Sequence, residues 1–145
     1  MAGLSQDEQD LFLSQARIAH FVSVRPSGRP HVAPVWFLWD KSSIDKGRAW
    51  VMADGGAVKV RNIEGNPSVA LSIATPERPL SYVLLEGRAT VTTEGLKDVV
   101  ERMCVLYDGP HRGSEFAKEL LEQERMGLLD ISIDKIIGWK DDADL

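Results

Sequence analysis

The chain has 145 residues, one cysteine and a formal net charge of −5. This length favours a single domain over residues 1–145, large enough to bury about two-thirds of its unfolded surface without a disulfide or a metal. The acidic balance argues against a nucleic-acid partner, and no stretch approaches the ~20 apolar residues of a membrane span.

Cysteine usage and the N-terminal segment predict the compartment. A lone thiol, Cys104, fits a reducing environment, and residues 1–15 lack the long apolar run of a signal peptide. We therefore expect a cytoplasmic protein. Cys104 itself follows the apolar spacing of a helix, which predicts a core position.

The first 40 residues predict a helix followed by a β-hairpin. Ser5 and Glu8 form the capping-box pattern S-x-x-E, so we expect a helix over about Gln6–Ala16. Two strands rich in β-branched and aromatic residues follow, and Pro26-Ser27-Gly28 predicts the turn between them. These strands are expected at Ile18–Arg25 and at His31–Trp39, the second apolar on both faces.

The middle of the chain predicts three more strands, a short helix and two loops. They are expected at Ala49–Ala53, Ser68–Ala74 and Ser81–Thr92 for the strands, Ala57–Glu64 for the helix, and Lys41–Gly47 and Thr75–Pro79 for the loops. Alternation in the strand 81–92 predicts one face that points to a barrel interior or a dimer core. Its members are Val83, Leu85, Ala89 and Val91.

The last third predicts two helices and a final strand. Helical spacing runs from Leu96 to Cys104, and a further helix containing Phe116 is expected to end near Gly127. Leu129, Ile131 and Ile133 alternate as in a strand, and the acidic tail Asp141–Asp144 is expected to fray. Six strands with helices at the periphery favour a mainly β fold, a six-stranded barrel.

Familiar catalytic constellations are missing from the sequence. No Cys or His pair has metal-ligand spacing, and neither G-x-S-x-G nor G-x-G-x-x-G is present after a strand. His20 and His31 are more typical of structural histidines than of catalysts. We therefore name no catalytic residue and no metal site.

The stretch Trp50–Leu71 is the most informative one. A strand ends in two glycines and a short helix starts, so free backbone N–H groups and the helix dipole suit an anion. Lys59 and Arg61 lie just inside this helix, where a bound phosphate would explain them. The alternative is a solvated, charged surface turn. Asp54 would repel a phosphate unless it turns away to cap the helix.

A cluster of aromatic residues lies upstream of this stretch. Its members are Trp36, Phe37 and Trp39. They form either the floor of a site for a planar ring or part of the hydrophobic core.

Three passages resemble the pyridoxamine 5′-phosphate oxidase-like split-barrel family, the flavin and deazaflavin oxidoreductases. They are the hairpin ARIAHFVSVRPSGRPHVAPVWFLWD, the segment KVRNIEGNPSVALSI and the strand SYVLLEGRATV. A final strand ending in Gly138-Trp139 also fits. The resemblance covers most of residues 5–139 and implies a six-stranded antiparallel split β-barrel.

The resemblance also implies a homodimer with cofactor sites in clefts between the subunits. It implies that Lys59, helped by Arg61 and Asn62, holds the cofactor phosphate. Apart from such a contact, we expect the Lys59 side chain to be solvated. It also implies that two segments contact the ring system of the cofactor. Residues Val35, Trp36 and Phe37 lie nearest the ring, and the backbone of Met52, Ala53 and Asp54 borders it.

The cofactor implied is FMN or the deazaflavin F-420. Many FMN-binding members carry Ser or Thr before the lysine, whereas this chain has Ala53 and Ala57. The absence of hydroxyls tilts the choice toward F-420 and leaves both open.

The function implied is an oxidoreductase that transfers a hydride between the cofactor and a small conjugated or heteroaromatic substrate. In such enzymes the cofactor carries the chemistry and the protein positions it. Two alternatives remain open: a non-catalytic binding protein for a flavin, a haem or a similar planar ligand, and a barrel whose site has decayed.

Overall fold

The computed structural model describes residues 2–41 and 46–141, which form an antiparallel sheet and four helices. The strands are β1 (Ala2–Gly3), β2 (Ala19–Val24), β3 (Pro30–Val35), β4 (Leu38–Asp40), β5 (Arg48–Asp54), β6 (Ser68–Ala74), β7 (Ser81–Thr92) and β8 (Met126–Lys140). The helices are α1 (Gln6–Leu13), α2 (Val58–Gly65), α3 (Leu96–Asp108) and α4 (Pro110–Leu121). The predicted loop at 41–47 and the predicted frayed tail lie partly outside the described residues.

The strands pair in the order β3-β2-β6-β7-β8-β5-β4, with β1 added on β8. This confirms the predicted antiparallel split barrel. Within the described residues no pairing joins the edge strands β3 and β4, so hydrogen bonds do not close the sheet. Pro30 and Pro34 lie in β3, and because proline has no N–H to donate, β3 is suited to an edge.

The predicted strand His31–Trp39 is wrong as a single element, and the described residues contain eight strands rather than six. Two of these, β1 and β4, are only two and three residues long. The break falls at Trp36-Phe37, where the Phe37 N–H donates to the hydroxyl of Tyr107 on α3 at 3.1 Å. A backbone donor taken by a side chain cannot continue a strand ladder, so β3 ends and β4 starts afresh.

The helix boundaries differ most from the predicted ones at the ends of α1 and α4, while α2 is displaced by one residue from the predicted Ala57–Glu64. The capping box of Ser5 and Glu8 is present, but α1 ends at Leu13 instead of Ala16. The helix α4 ends at Leu121 instead of near Gly127, because Met126 and Gly127 already pair with β5. The longest helix, α3, has 13 residues, and no helix in the described ranges has the length and apolar character to cross a membrane.

Alternate residues of the strands fill the barrel interior. Val83, Leu85 and Ala89 of β7 point inward, as predicted, and are at most 1% exposed. Val91 does not follow them and is 43% exposed. The strand β6 stops pairing with β7 at Arg88, so the end of β7 has no β6 neighbour to cover Val91.

A second hydrophobic cluster lies on the opposite face of the sheet, beneath the hairpin of α3 and α4. It joins sheet and helix residues, namely Leu38, Trp50, Val99, Val100, Met103, Cys104, Ala117 and Leu128. Cys104 is fully buried, as predicted, and burial raises the pKa of its thiol to about 11, so the thiol stays protonated and unreactive at neutral pH.

Gly87 lies at a close approach between the two longest strands. The register of β7 against β8 shifts between Glu86 and Gly87. A Cβ on Gly87 would lie 2.0 Å from the Ser132 carbonyl oxygen. We expect Gly87→Ala to lower the free energy of unfolding by about 1–3 kcal/mol, the usual cost of overpacking. Chemical denaturation measures this directly.

Gly65→Ala is the matched control for this change. Gly65 ends α2, and a Cβ there meets nothing within 4 Å, so this variant should be neutral or more stable by up to ~1 kcal/mol. Equal denaturation midpoints for the two variants would show that the close approach at Gly87 carries no cost.

Candidate functional site

The junction between β5 and α2 leaves two backbone donors free. The Asp54 carboxylate accepts the Gly56 N–H at 2.7 Å, so it caps the preceding turn and not the helix. The N-cap residue is Ala57, which has no side chain to cap α2. Within the described residues no acceptor takes the N–H groups of Val58 and Lys59.

Lys59 places an uncompensated cation at this helix start. Its side chain is half-buried rather than solvated as predicted, and it makes no ion pair or side-chain hydrogen bond with the described residues. Burial lowers the pKa of the Lys59 ammonium. A bound anion would offset the cost of this partly desolvated cation.

Arg61 and Asn62 have different surroundings from Lys59. Arg61 is exposed. Asn62 is 3% exposed, and its amide donates to the hydroxyl of Ser23 on β2 at 3.0 Å. This buried bond ties α2 to the barrel and so fixes the helix that carries Lys59.

Arg125, which lies between α4 and β8, is a cation that sequence reasoning missed. Its Nε lies 3.9 Å from an Asp54 carboxylate oxygen, and its carbonyl accepts the Gly55 N–H at 2.8 Å. A Cβ on Gly56 would come within 2.2 Å of the Arg125 guanidinium, so glycine permits this approach. The pairing offsets the charge of Asp54. No local motif signals it, because β-pairing creates the contact.

The residues predicted along the cofactor ring lie on two faces of the sheet. Val35, Phe37 and Ala53 are buried in the barrel core. Trp36 and Met52 are half-buried against the second cluster. The split of Met52 from Ala53 follows from strand geometry, since neighbouring residues on a strand point to opposite faces.

The aromatic cluster divides in the same way. Phe37 and Trp39 are core residues, 0% and 8% exposed. Trp36 stacks on Tyr107 with ring centroids 4.5 Å apart, and the edge of Phe116 meets it at 5.9 Å. Trp36 also borders a cavity of about 370 Å³, whose other lining residues are Asp108, Arg112, Glu115, Phe116 and Glu119.

Lys59 does not line the cavity that Trp36 borders. The four cavities described among residues 2–41 and 46–141 have volumes of about 310–470 Å³, and Lys59 lines none of them. The same part of the chain holds no group of three or more His, Cys, Asp or Glu placed to bind a metal. His20 is exposed and His31 is half-buried.

Solved structures share the fold at low sequence identity. An F420 reductase is 22% identical with a TM-score of 0.67, covering 88% of this chain and 94% of its own. An FAD-binding protein from Mesorhizobium loti is 17% identical with a TM-score of 0.68, covering 97% and 98%. The haem storage protein HutZ from Vibrio cholerae is 18% identical with a TM-score of 0.69, covering 90% and 91%.

Sequence comparison is more specific than these structural likenesses. No protein of curated function matches the chain. The sequence profile described as pyridoxamine 5′-phosphate oxidase, in contrast, matches residues 5–139, a range that contains every candidate site residue. The chain therefore belongs to the pyridoxamine 5′-phosphate oxidase family.

Proposed function

We propose that the chain is a flavin- or deazaflavin-dependent oxidoreductase that binds FMN or F-420. In this proposal a hydride passes between the cofactor and a small conjugated or heteroaromatic substrate. The observation that carries it is Lys59, a half-buried cation without a counterion among the described residues, in a chain of this family.

The donors at the start of α2 fit a phosphate. The Lys59 ammonium and the free N–H groups of Val58 and Lys59 lie at the positive end of the helix dipole. Asp54 is engaged by Gly56 and Arg125, so its charge opposes an anion less than its position alone predicts. Asn62 contributes by anchoring α2 through Ser23 and not by direct contact.

The bound cofactor would supply the hydride chemistry, while the chain's own residues bind and orient it. Trp36 offers a part-exposed aromatic side chain to a planar ring. Val35, Phe37 and Ala53 are buried, so their contribution is restricted to backbone atoms and to the apolar wall that excludes water.

The choice between FMN and F-420 depends on the anionic tail. The side chains of Ala53 and Ala57 provide no hydroxyl to a phosphate, and α2 has no side-chain cap. F-420 carries carboxylates beyond its phosphate, and the exposed cation Arg61 near this junction suits a longer anion. These features favour F-420 over FMN.

A homodimer would bring the residues proposed to hold the phosphate, Lys59 and Arg61, and those proposed to contact the ring, Trp36 and Met52, into one cleft between two chains. An apolar patch on the outside of β2, β6, β7 and β8, which we call the outer sheet face, is available for pairing. It comprises Val22, Val24, Ala70, Leu84 and Ile137, and Val32 of β3, 56% exposed, extends it. Burying such a face is worth about 25 cal/mol per Å².

The fold likeness to the haem storage protein HutZ favours one second candidate, a non-catalytic binding protein for haem or a flavin. Two measurements separate it from the enzyme. Titration with haemin reports haem binding, and turnover of reduced cofactor with a conjugated substrate reports catalysis. Haem binding without flavin turnover would favour the second candidate.

Lys59→Ala tests the phosphate site. Loss of a hydrogen bond to a charged group is worth about 1.5–3 kcal/mol, so affinity for FMN or F-420 should fall about ten- to a hundred-fold. Stability should hold or rise slightly, because the variant removes a partly desolvated charge. Parallel titrations with both cofactors, together with a denaturation curve, measure the two effects.

Lys97→Ala is the matched control, since Lys97 is 81% exposed on α3 and pairs with Glu101. It should leave both affinities unchanged. Arg61→Ala should have a smaller effect than Lys59→Ala. Unchanged affinity of Lys59→Ala for both cofactors would mean that the phosphate is bound elsewhere or not at all.

Leu84→Asp tests the homodimer through the outer sheet face. Leu84 lies opposite Ile137 and Ser72 on this face, so a carboxylate there should dissociate the dimer. Sedimentation velocity should give about twice the 16.1 kDa chain mass for the native protein and the chain mass for the variant. Leu11→Asp, at a 66% exposed position on α1, is the control. A native monomer at micromolar concentration would refute the proposal.

A further inference from the structure

Tyr107 joins three segments that are distant in sequence. Its hydroxyl, projecting from α3, accepts the Phe37 N–H at 3.1 Å and donates to the Arg17 carbonyl at 2.7 Å. Tyr107 is half-buried, and burial raises the pKa of this phenol, so the proton needed for donation stays in place at neutral pH. The hydroxyl therefore fixes the link between β3 and β4.

The ring of Tyr107 acts on the neighbouring residue. It stacks on the Trp36 indole at 4.5 Å with an interplanar angle of 8°, while Phe116 of α4 meets the indole edge-on at 79°. Tyr107 therefore holds the backbone at Phe37 through its hydroxyl and the side chain of Trp36 through its ring. Both effects restrict the orientation of the indole.

Within residues 35–37, Trp36 has the side chain that is exposed enough to contact a ligand. Val35 and Phe37 are 8% and 0% exposed, whereas Trp36 is half-buried and borders the cavity of about 370 Å³. Aromatic faces bind planar rings through geometry-dependent stacking, so the orientation of the indole controls the strength of that contact.

We propose that Tyr107 is a positioning residue that holds the Trp36 indole against the planar ring of the bound cofactor. This inference rests on the proposed function, and it adds a residue from α3 that lies outside all three family-like passages. Tyr107 acts through Trp36 and does not itself touch the reacting atoms.

Tyr107→Phe tests the proposal because it keeps the stacked ring and removes the hydroxyl. We expect roughly three- to ten-fold weaker binding of FMN or F-420, the range for one net hydrogen bond. The emission of bound FMN, which a nearby indole quenches, should increase. Ser114→Ala is the matched control, since its hydroxyl bonds the Pro110 carbonyl in the same hairpin, and it should change neither readout.

A double-mutant cycle distinguishes positioning from a general structural role. Trp36→Leu should weaken cofactor binding at least as much as Tyr107→Phe. In the Trp36→Leu background, Tyr107→Phe should change affinity by less than about two-fold, because the residue through which it acts is gone. Circular dichroism and thermal melting establish that each variant is folded.

Three outcomes overturn the inference. The first is unchanged cofactor affinity and FMN emission in a folded Tyr107→Phe protein. The second is an equal loss of cofactor affinity on Tyr107→Phe in the native and the Trp36→Leu backgrounds. If Tyr107→Phe does not fold, unchanged affinity of Trp36→Leu would also suffice. In each case, binding by the native protein and its loss in Lys59→Ala would leave the proposed function standing. A native protein that binds neither FMN nor F-420 would overturn both.

Discussion

The pairing of β8 with its neighbours is the constraint on which the rest of the structure depends. This 15-residue strand pairs with β1, β5 and β7, and so joins the two halves of the sheet. Its register places Met126 opposite Asp54, which brings Arg125 beside the turn that precedes α2. The geometry of the candidate phosphate site is thus a consequence of sheet register.

The residues at the start of α2 suit ligand binding at a cost in local stability. A lysine in the first turn of a helix is unfavourable by the dipole, and partial burial without a counterion adds to the cost. Arg48, by contrast, which is also partly buried, forms an ion pair with Asp130. A local cost that nothing in the described fold offsets is expected at a ligand site.

The part of the sheet that bears the proposed ring contacts is covered on both faces, and this divides those contacts. The barrel interior takes Val35, Phe37 and Ala53, and the hairpin of α3 and α4 covers the side that bears Trp36 and Met52. Neither set can approach the other within one chain without breaking the alternation of the strands. In the proposed site a ring can therefore contact only the second set directly, while Val35, Phe37 and Ala53 form the buried wall behind it.

Local patterns in the sequence determined most of the elements and the position of the β5–α2 junction. The strands β6 and β7 have the bounds that alternation predicts, and Gly55-Gly56 followed by Lys59 marks the junction without tertiary information. Tertiary structure alone decided the break at Phe37, the contact of Arg125 with Asp54, the half-burial of Lys59 and the exposure of Val91. Periodicity and turn residues act over a few positions, and they encode which face a side chain takes. The contacts of residue 37 with 107 and of 54 with 125 depend on strand register and helix packing across the whole chain, for which no short segment carries a signal.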